Sequence, residues 1–145
     1  MIAALYAALT IALAPISYGP IQLRVSEALT LLPFYMPEAI PGLFIGCIFA
    51  NFFGGFGIID ILFGSLATLI AAILTRRSKN IYVGALFPVV SNMIIIGAML
   101  HYLIDVPLIA TCIYVGLGEA GACYIIGVPL MKILEKRNII SRVNA

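Results

Sequence analysis

The feature that most restricts this chain is the length of its apolar runs. Residues 57–75, 81–104 and 107–131 carry at most one acidic residue each, and further apolar stretches cover 2–18 and, with interruptions, 28–53. A run of about twenty such residues matches the hydrocarbon thickness of a bilayer. Of the 145 residues, 63% are hydrophobic and 10% charged, whereas a soluble domain needs roughly a quarter charged residues to cover its exterior. The solvent for this chain is lipid. A membrane barrel would alternate apolar and polar residues over strands of about ten, and these runs do not alternate. The fold class is therefore an all-α integral membrane bundle, read as one transmembrane domain over residues 1–145 with connections of a few residues.

The interrupted stretch sets the helix count. Pro33, Pro37 and Pro41 surround Glu38, and each proline removes a backbone donor and breaks or kinks a helix. Two short helices fit better than one long one. That makes six helices, the second too short to cross unless it tilts or lies beside protein rather than lipid; five crossings is the alternative. The start, MIAALYAALTIALAPISYG, lacks a basic n-region and runs into more apolar sequence, so it reads as a first span rather than a cleaved signal.

Lys and Arg near helix ends stay on the cytoplasmic side. They cluster at Arg76, Arg77 and Lys79 and again at Lys132, Lys136, Arg137 and Arg142, two crossings apart. With six helices both termini are cytoplasmic, and the loop carrying Gln22, Arg24 and Glu27 lies outside, with the turn before Asp60 and that at Asp105. With five, that loop is cytoplasmic and Arg24 joins the positive-inside set.

Polar residues at membrane depth are expensive and face a cavity or a partner. Glu119, in YVGLGEAGACY, is the most informative. It is read as a functional carboxylate; the structural alternatives are a protonated carboxyl bonded to a neighbouring helix, or an ion-pair partner for Arg24. Asn92, in PVVSNMIII, suits either a site or a helix-joining hydrogen bond. Asn51 and Asp60 flank FFGGFGII, a glycine-rich turn read as a tight connection, with a movable gate as the alternative. His101 is read as an interfacial residue outside the site. Tyr6, Tyr18, Tyr35, Tyr82 and Tyr102 fall near helix ends and fit an aromatic belt; Tyr18 and Tyr114 have a second claim as ring-stacking surfaces. Cys47, Cys112 and Cys123 lack CxxC spacing and a partnering histidine cluster, so they are read as packing residues, with no metal site and no cofactor.

The first helix adds overlapping small-residue pairs, Ala3 with Ala7, Ala4 with Ala8, and Ala8 with Ala12, where another helix can approach closely. The structural alternative is that these alanines pack inside the protein itself. No phosphate-binding GxxxxGK[ST], nucleophile elbow or HExxH occurs, which excludes those ATPase and hydrolase signatures and favours a small binding or transport subunit over an enzyme.

ALYAALT, APISYGPIQLRVSEALTLLP, IPGLFIGCIFAN, DILFGSLATLIAA and GLGEA together resemble the QueT family of queuosine-precursor transporters over nearly the whole chain. The longest motif, PISYGPIQLRVSEAL, is the specific one. The resemblance implies a substrate-capture (S) component of an energy-coupling-factor transporter: six helices, a vitamin-like ligand taken from outside, a membrane coupling subunit and two ATPase subunits as partners. It implies that Ala4, Ala8 and Ala12 meet the coupling subunit. It also implies a 7-deazaguanine ligand such as preQ1 or preQ0, with Gln22, Arg24, Glu27, Asn51, Asp60, Asn92, Glu119, Tyr18 and Tyr114 as candidate contacts. The first loop would recognise and enclose the ligand; otherwise its charges form a salt-bridged loop holding two helices together. Other readings are an S component for a different vitamin-like heterocycle, and a non-transport membrane scaffold.

Overall fold

The computed structural model describes residues 1–19 and 21–142. Among them there is no strand. Helix α1 (Ile2–Ala12) breaks at Leu13 and continues as one turn, α2 (Ala14–Ser17), with Pro15 near its start. A 3₁₀ helix follows over Val25–Phe34, then α3 (Ala39–Phe52), α4 (Gly57–Arg77), α5 (Ile81–Ile104) and α6 (Leu108–Ala120). From α6 the chain passes through a π-helical turn, Gly121–Gly127, into α7 (Val128–Lys136).

Three of these bodies are long and apolar enough to cross a membrane: α4 with 21 residues, α5 with 24, and the continuous helix Leu108–Lys136 with 29. The others, α1, the 3₁₀ helix and α3, are shorter apolar helices. The proline-rich stretch divides as its sequence demands, into the 3₁₀ helix ending beyond Pro33 and α3 with Pro41 in its first turn. The glycine-rich stretch is a tight turn in which Gly55 and Gly57 take φ of 84° and 73°.

Successive helices α3, α4, α5 and α6 pack as neighbours, and α1 packs on α3. Gly46 permits that last contact, because a side chain there would sit 2.8 Å from the Ala3 carbonyl oxygen and 2.9 Å from the Tyr6 Cβ. In the middle runs the 3₁₀ helix, touched by α1, α3, α4, α5, α7 and the π-turn, with every residue from Ser26 to Phe34 buried. Runs of 3₁₀ longer than three or four residues are uncommon. At about 2.0 Å rise per residue, ten residues cover roughly 20 Å, against roughly 15 Å as α-helix. A segment short in residues thus reaches far through the bundle, shielded by protein rather than lipid.

The outside is apolar: Phe49, Phe52, Ile58, Leu62, Ile94, Ile109, Leu117 and Ile125 are all exposed. The inside holds Arg24, Glu27, Asp60 and Glu119. This inverted distribution suits a multi-pass membrane protein, in which lipid solvates the apolar face.

Candidate functional site

The polar residues singled out from the sequence converge at the end of the bundle where α3 stops and α4 begins. Gln22, Arg24, Glu27, Asn51, Asp60, Asn92 and Glu119 are each 4% exposed or less. They come from the first loop, the 3₁₀ helix, α3, α4, α5 and α6.

Arg24 is the hub. Its Nη1 donates to Asn51 Oδ1 at 2.9 Å, its Nη2 lies 3.9 Å from Asp60 Oδ1, and its guanidinium is 5.6 Å from the Tyr18 ring centre. Asn51 in turn donates to the Asp60 carbonyl oxygen at 3.0 Å, across the tight turn that joins their helices. Asn51 also reaches Cys47 Sγ at 3.4 Å, and Thr68 Oγ1 donates to that sulfur at 3.3 Å. Gly64 makes the room: a Cβ there would fall 2.2 Å from Asn51 Nδ2. The Tyr18 hydroxyl donates to the Ala50 carbonyl oxygen, closing this corner.

Two carboxylates stand opposite. Glu27 opens the 3₁₀ helix and accepts at Oε1 from the Tyr6 hydroxyl of α1. Glu119 lies within electrostatic reach of Glu27, Arg24 and Asn92, two residues before the π-helical stretch. Single-turn π insertions concentrate at functional sites. Among the described residues the ion pair of Arg24 is with Asp60 rather than with Glu119, so the pairing weighed for Glu119 passes to Asp60.

The set is only partly satisfied. Arg24 Nε and Nη2, Glu27 Oε2, both Asp60 carboxylate oxygens, Asn92 Nδ2 and Glu119 Oε2 are buried without a hydrogen-bond partner among the described residues. Buried polar atoms are nearly always paired, and leaving one unpaired costs about 1–3 kcal/mol. Three carboxyl groups surround one guanidinium, so the arrangement can take up hydrogen-bond donors and positive charge.

An open cavity of about 420 Å³ adjoins the set, lined by Tyr18, Gln22, Phe56, Leu100, Thr111 and Tyr114 among others. Gln22 belongs to both, and Tyr18 lines the cavity while its ring stands beside Arg24. Gln22 holds a left-handed backbone, φ 49°, and its N–H bonds the Gly19 carbonyl oxygen at 3.0 Å; such strain concentrates at functional sites. Tyr114 is half exposed on the rim, apart from the buried cluster. The first loop lies on the helix that carries Glu119: a Cβ at Gly118 would fall 2.3 Å from the Ile21 carbonyl oxygen, and one at Gly121 would fall 3.3 Å from Leu23 Cδ1.

Two tyrosines assigned to an aromatic belt are instead inside. Tyr6 and Tyr35 are 0% and 1% exposed and bond Glu27 and Glu135, whereas Tyr82 and Tyr102 are exposed. Tyr6 and Thr10, one turn apart, share the buried face of α1, and Ser17 of α2 is buried as well; that polar spacing was the available signal. Cys47 packs, as its apolar setting suggests, but also orders Asn51. His101 bonds the Val106 carbonyl oxygen at 2.5 Å, exposed and outside the cluster.

On the opposite face of α1, Ala4, Ala8 and Ala12 are exposed, while Ala3 and Ala7 are partly covered.

The comparisons with known proteins agree with one another. The family described as QueT transporter matches residues 1–136. The queuosine precursor transporter QueT of Lactococcus lactis subsp. cremoris (strain MG1363) is 35% identical over 159 residues, covering 98% of this chain and 92% of that protein. No solved structure matches the chain. A family match along almost its full length, with a relative of that similarity, means that this chain belongs to the QueT transporter family, a family of transporters and not of enzymes.

Proposed function

We propose that the chain captures a queuosine precursor, a 7-deazaguanine such as preQ1 or preQ0, as the S component of an energy-coupling-factor importer. The observation that carries this reading is the buried set of unpaired polar atoms on Arg24, Glu27, Asp60, Asn92 and Glu119. A structural network would gain by satisfying itself. This one keeps capacity for a ligand rich in donors.

A guanine-like edge offers N1–H and an exocyclic amine side by side, and one carboxylate accepts both; that is the role of Glu119. Arg24 or Gln22 donates to the O6 carbonyl, with Asn51 and Asn92 supplying further polar contacts. A cationic aminomethyl arm is held by Glu27 or Asp60. Tyr18 and Tyr114 flank the cavity through which a flat ring would enter. With both basic clusters cytoplasmic, six crossings put both termini inside and this cavity outside, in the cell membrane. The first loop then acts as the lid, and residues 1–145 work as one transmembrane domain.

Energy must come from partners. The exposed Ala4, Ala8 and Ala12 offer a face that a helix of a membrane coupling subunit can approach closely, and that subunit would answer to two ATPase subunits. The chain needs no resident cofactor in this scheme.

Equilibrium binding of preQ1 and preQ0 to the purified chain tests the ligand. Replacing Ala4 and Ala8 by leucine tests the coupling: uptake should be abolished while binding by the isolated chain is unchanged. Loss of both would assign those alanines to internal packing, and undiminished uptake would remove the face from the mechanism. Binding of an unrelated vitamin in preference to either deazaguanine would replace the substrate, and purification without coupling or ATPase subunits would favour a scaffold.

A further inference from the structure

Helix α1 has two chemically different faces. One exposes Ala4, Ala8 and Ala12; the other buries Tyr6 and Thr10, the helix's two polar residues. Both hydroxyls reach the same place, the start of the 3₁₀ helix. The Tyr6 hydroxyl donates to Glu27 Oε1, and Thr10 Oγ1 shares a hydrogen bond with Ser26 Oγ at 2.6 Å while donating to the Tyr6 carbonyl oxygen at 2.9 Å.

Glu27 is therefore divided. One oxygen is held by α1, and the other is buried without a hydrogen-bond partner among the described residues. Tyr6 itself is fully buried against α3, where the absence of a side chain at Gly46 lets its Cβ approach. Small displacements of α1 cannot be absorbed by rotation of so tightly packed a ring.

Resting on the reading of the site given above, we propose that Tyr6 is a positioning residue through which ligand occupancy is passed to α1. By holding Oε1 it turns Oε2 toward the ligand, and a ligand engaging Oε2 fixes Glu27 and, through it, the helix whose other face is offered to a partner. Such coupling is reciprocal. A partner that shifts α1 withdraws the phenol from Glu27 and loosens the grip on the ligand, so docking and release are two readings of one hydrogen bond.

The test uses the purified full-length chain with preQ1 as probe and preQ0 alongside. Tyr6→Phe keeps the ring and removes the donor. Its affinity for preQ1 should fall by about tenfold, as for loss of a charged hydrogen bond, beside a modest drop in the ligand-free melting temperature because Glu27 Oε1 is left unpaired. In a Glu27→Gln background the same change should cost less than about threefold, because the amide has already put a donor where the ligand-facing oxygen that Tyr6 positions stood. Adding preQ1 should slow amide exchange in residues 2–12 of the wild type and leave Tyr6→Phe unaffected. Wild-type affinity in Tyr6→Phe, additive affinity losses in the double variant, or unchanged exchange in α1 would each overturn the inference while the site stands. Failure of the wild type to bind either deazaguanine would overturn the site reading, and this inference with it.

Discussion

The two ends of the bundle use similar residues to opposite effect. At the basic end, Tyr35 donates to Glu135 at 3.1 Å, and Arg142 bonds the Ser78 carbonyl oxygen at 3.0 Å while lying 4.2 Å from the Phe34 ring centre. Lys132 bonds the Tyr82 hydroxyl at 2.5 Å, and Thr75 reaches the Gly84 carbonyl oxygen at 3.0 Å. None of the unpaired buried polar side-chain atoms among the described residues lies there. There Tyr35 and Thr75 are buried and bonded, while Lys132, Glu135 and Arg142 keep their charges exposed; at the loop end the charges of Arg24, Glu27, Asp60 and Glu119 are themselves buried and yet retain unpaired atoms. A satisfied network closes a structure. A partly satisfied one is affordable where a ligand completes it.

The sharpest way to break this contrast is to remove the ion pair that Arg24 and Asp60 make at the loop end. Asp60→Ala leaves the Arg24 guanidinium buried without its carboxylate, and breaking such a pair costs about 3–5 kcal/mol. The ligand-free melting temperature should fall steeply; an unchanged value would mean that Arg24 is not held by Asp60. A milder intrusion is Gly64→Ala, whose methyl group would displace the Asn51 amide and cost about 1–3 kcal/mol by overpacking. Thermal melting with and without preQ1 should show both stability and affinity reduced, since Asn51 positions Arg24. Intact affinity would separate Asn51 from the site. The smallest effect belongs to the basic end: Tyr35→Phe forfeits one hydrogen bond, about 1 kcal/mol of stability, and should leave preQ1 affinity unchanged in a titration. Weakened binding there would join the two ends functionally and dissolve the contrast.

The parts legible in the sequence are those that lipid dictates. α4, α5 and the helix from Leu108 follow the long apolar runs because a bilayer tolerates no interruption of backbone pairing, and Pro33, Pro37 and Pro41 mark where the second stretch divides. The rare polar residues were also conspicuous, and they meet in space. Which way a side chain points was much less legible. Tyr6 and Tyr35 look like interfacial aromatics because their segments are apolar on nearly every side, so that in α1 the core face is marked by little more than Thr10 one turn beyond Tyr6. The 3₁₀ geometry of Val25–Phe34 and the π-turn at Gly121–Gly127 are responses to tertiary packing, with no local signature beyond Pro33 and the two glycines. For the same reason Arg24 finds Asp60 rather than Glu119, a choice made by the close turn between α3 and α4.

The central claim, that the loop-end cluster is a recognition site rather than a packing device, is most directly tested at Glu119 by titrating wild type and Glu119→Gln with preQ1 and with its analogue lacking the exocyclic amine, alongside ligand-free melting curves. If the carboxylate accepts both donors of a guanine-like edge, the variant should bind preQ1 at least about tenfold more weakly. Its loss for the analogue should be much smaller, because mutation and analogue remove the same interaction, and its ligand-free melting should stay near that of the wild type. Equal losses for both ligands with a destabilised apo protein would contradict the claim and make Glu119 a helix-packing group.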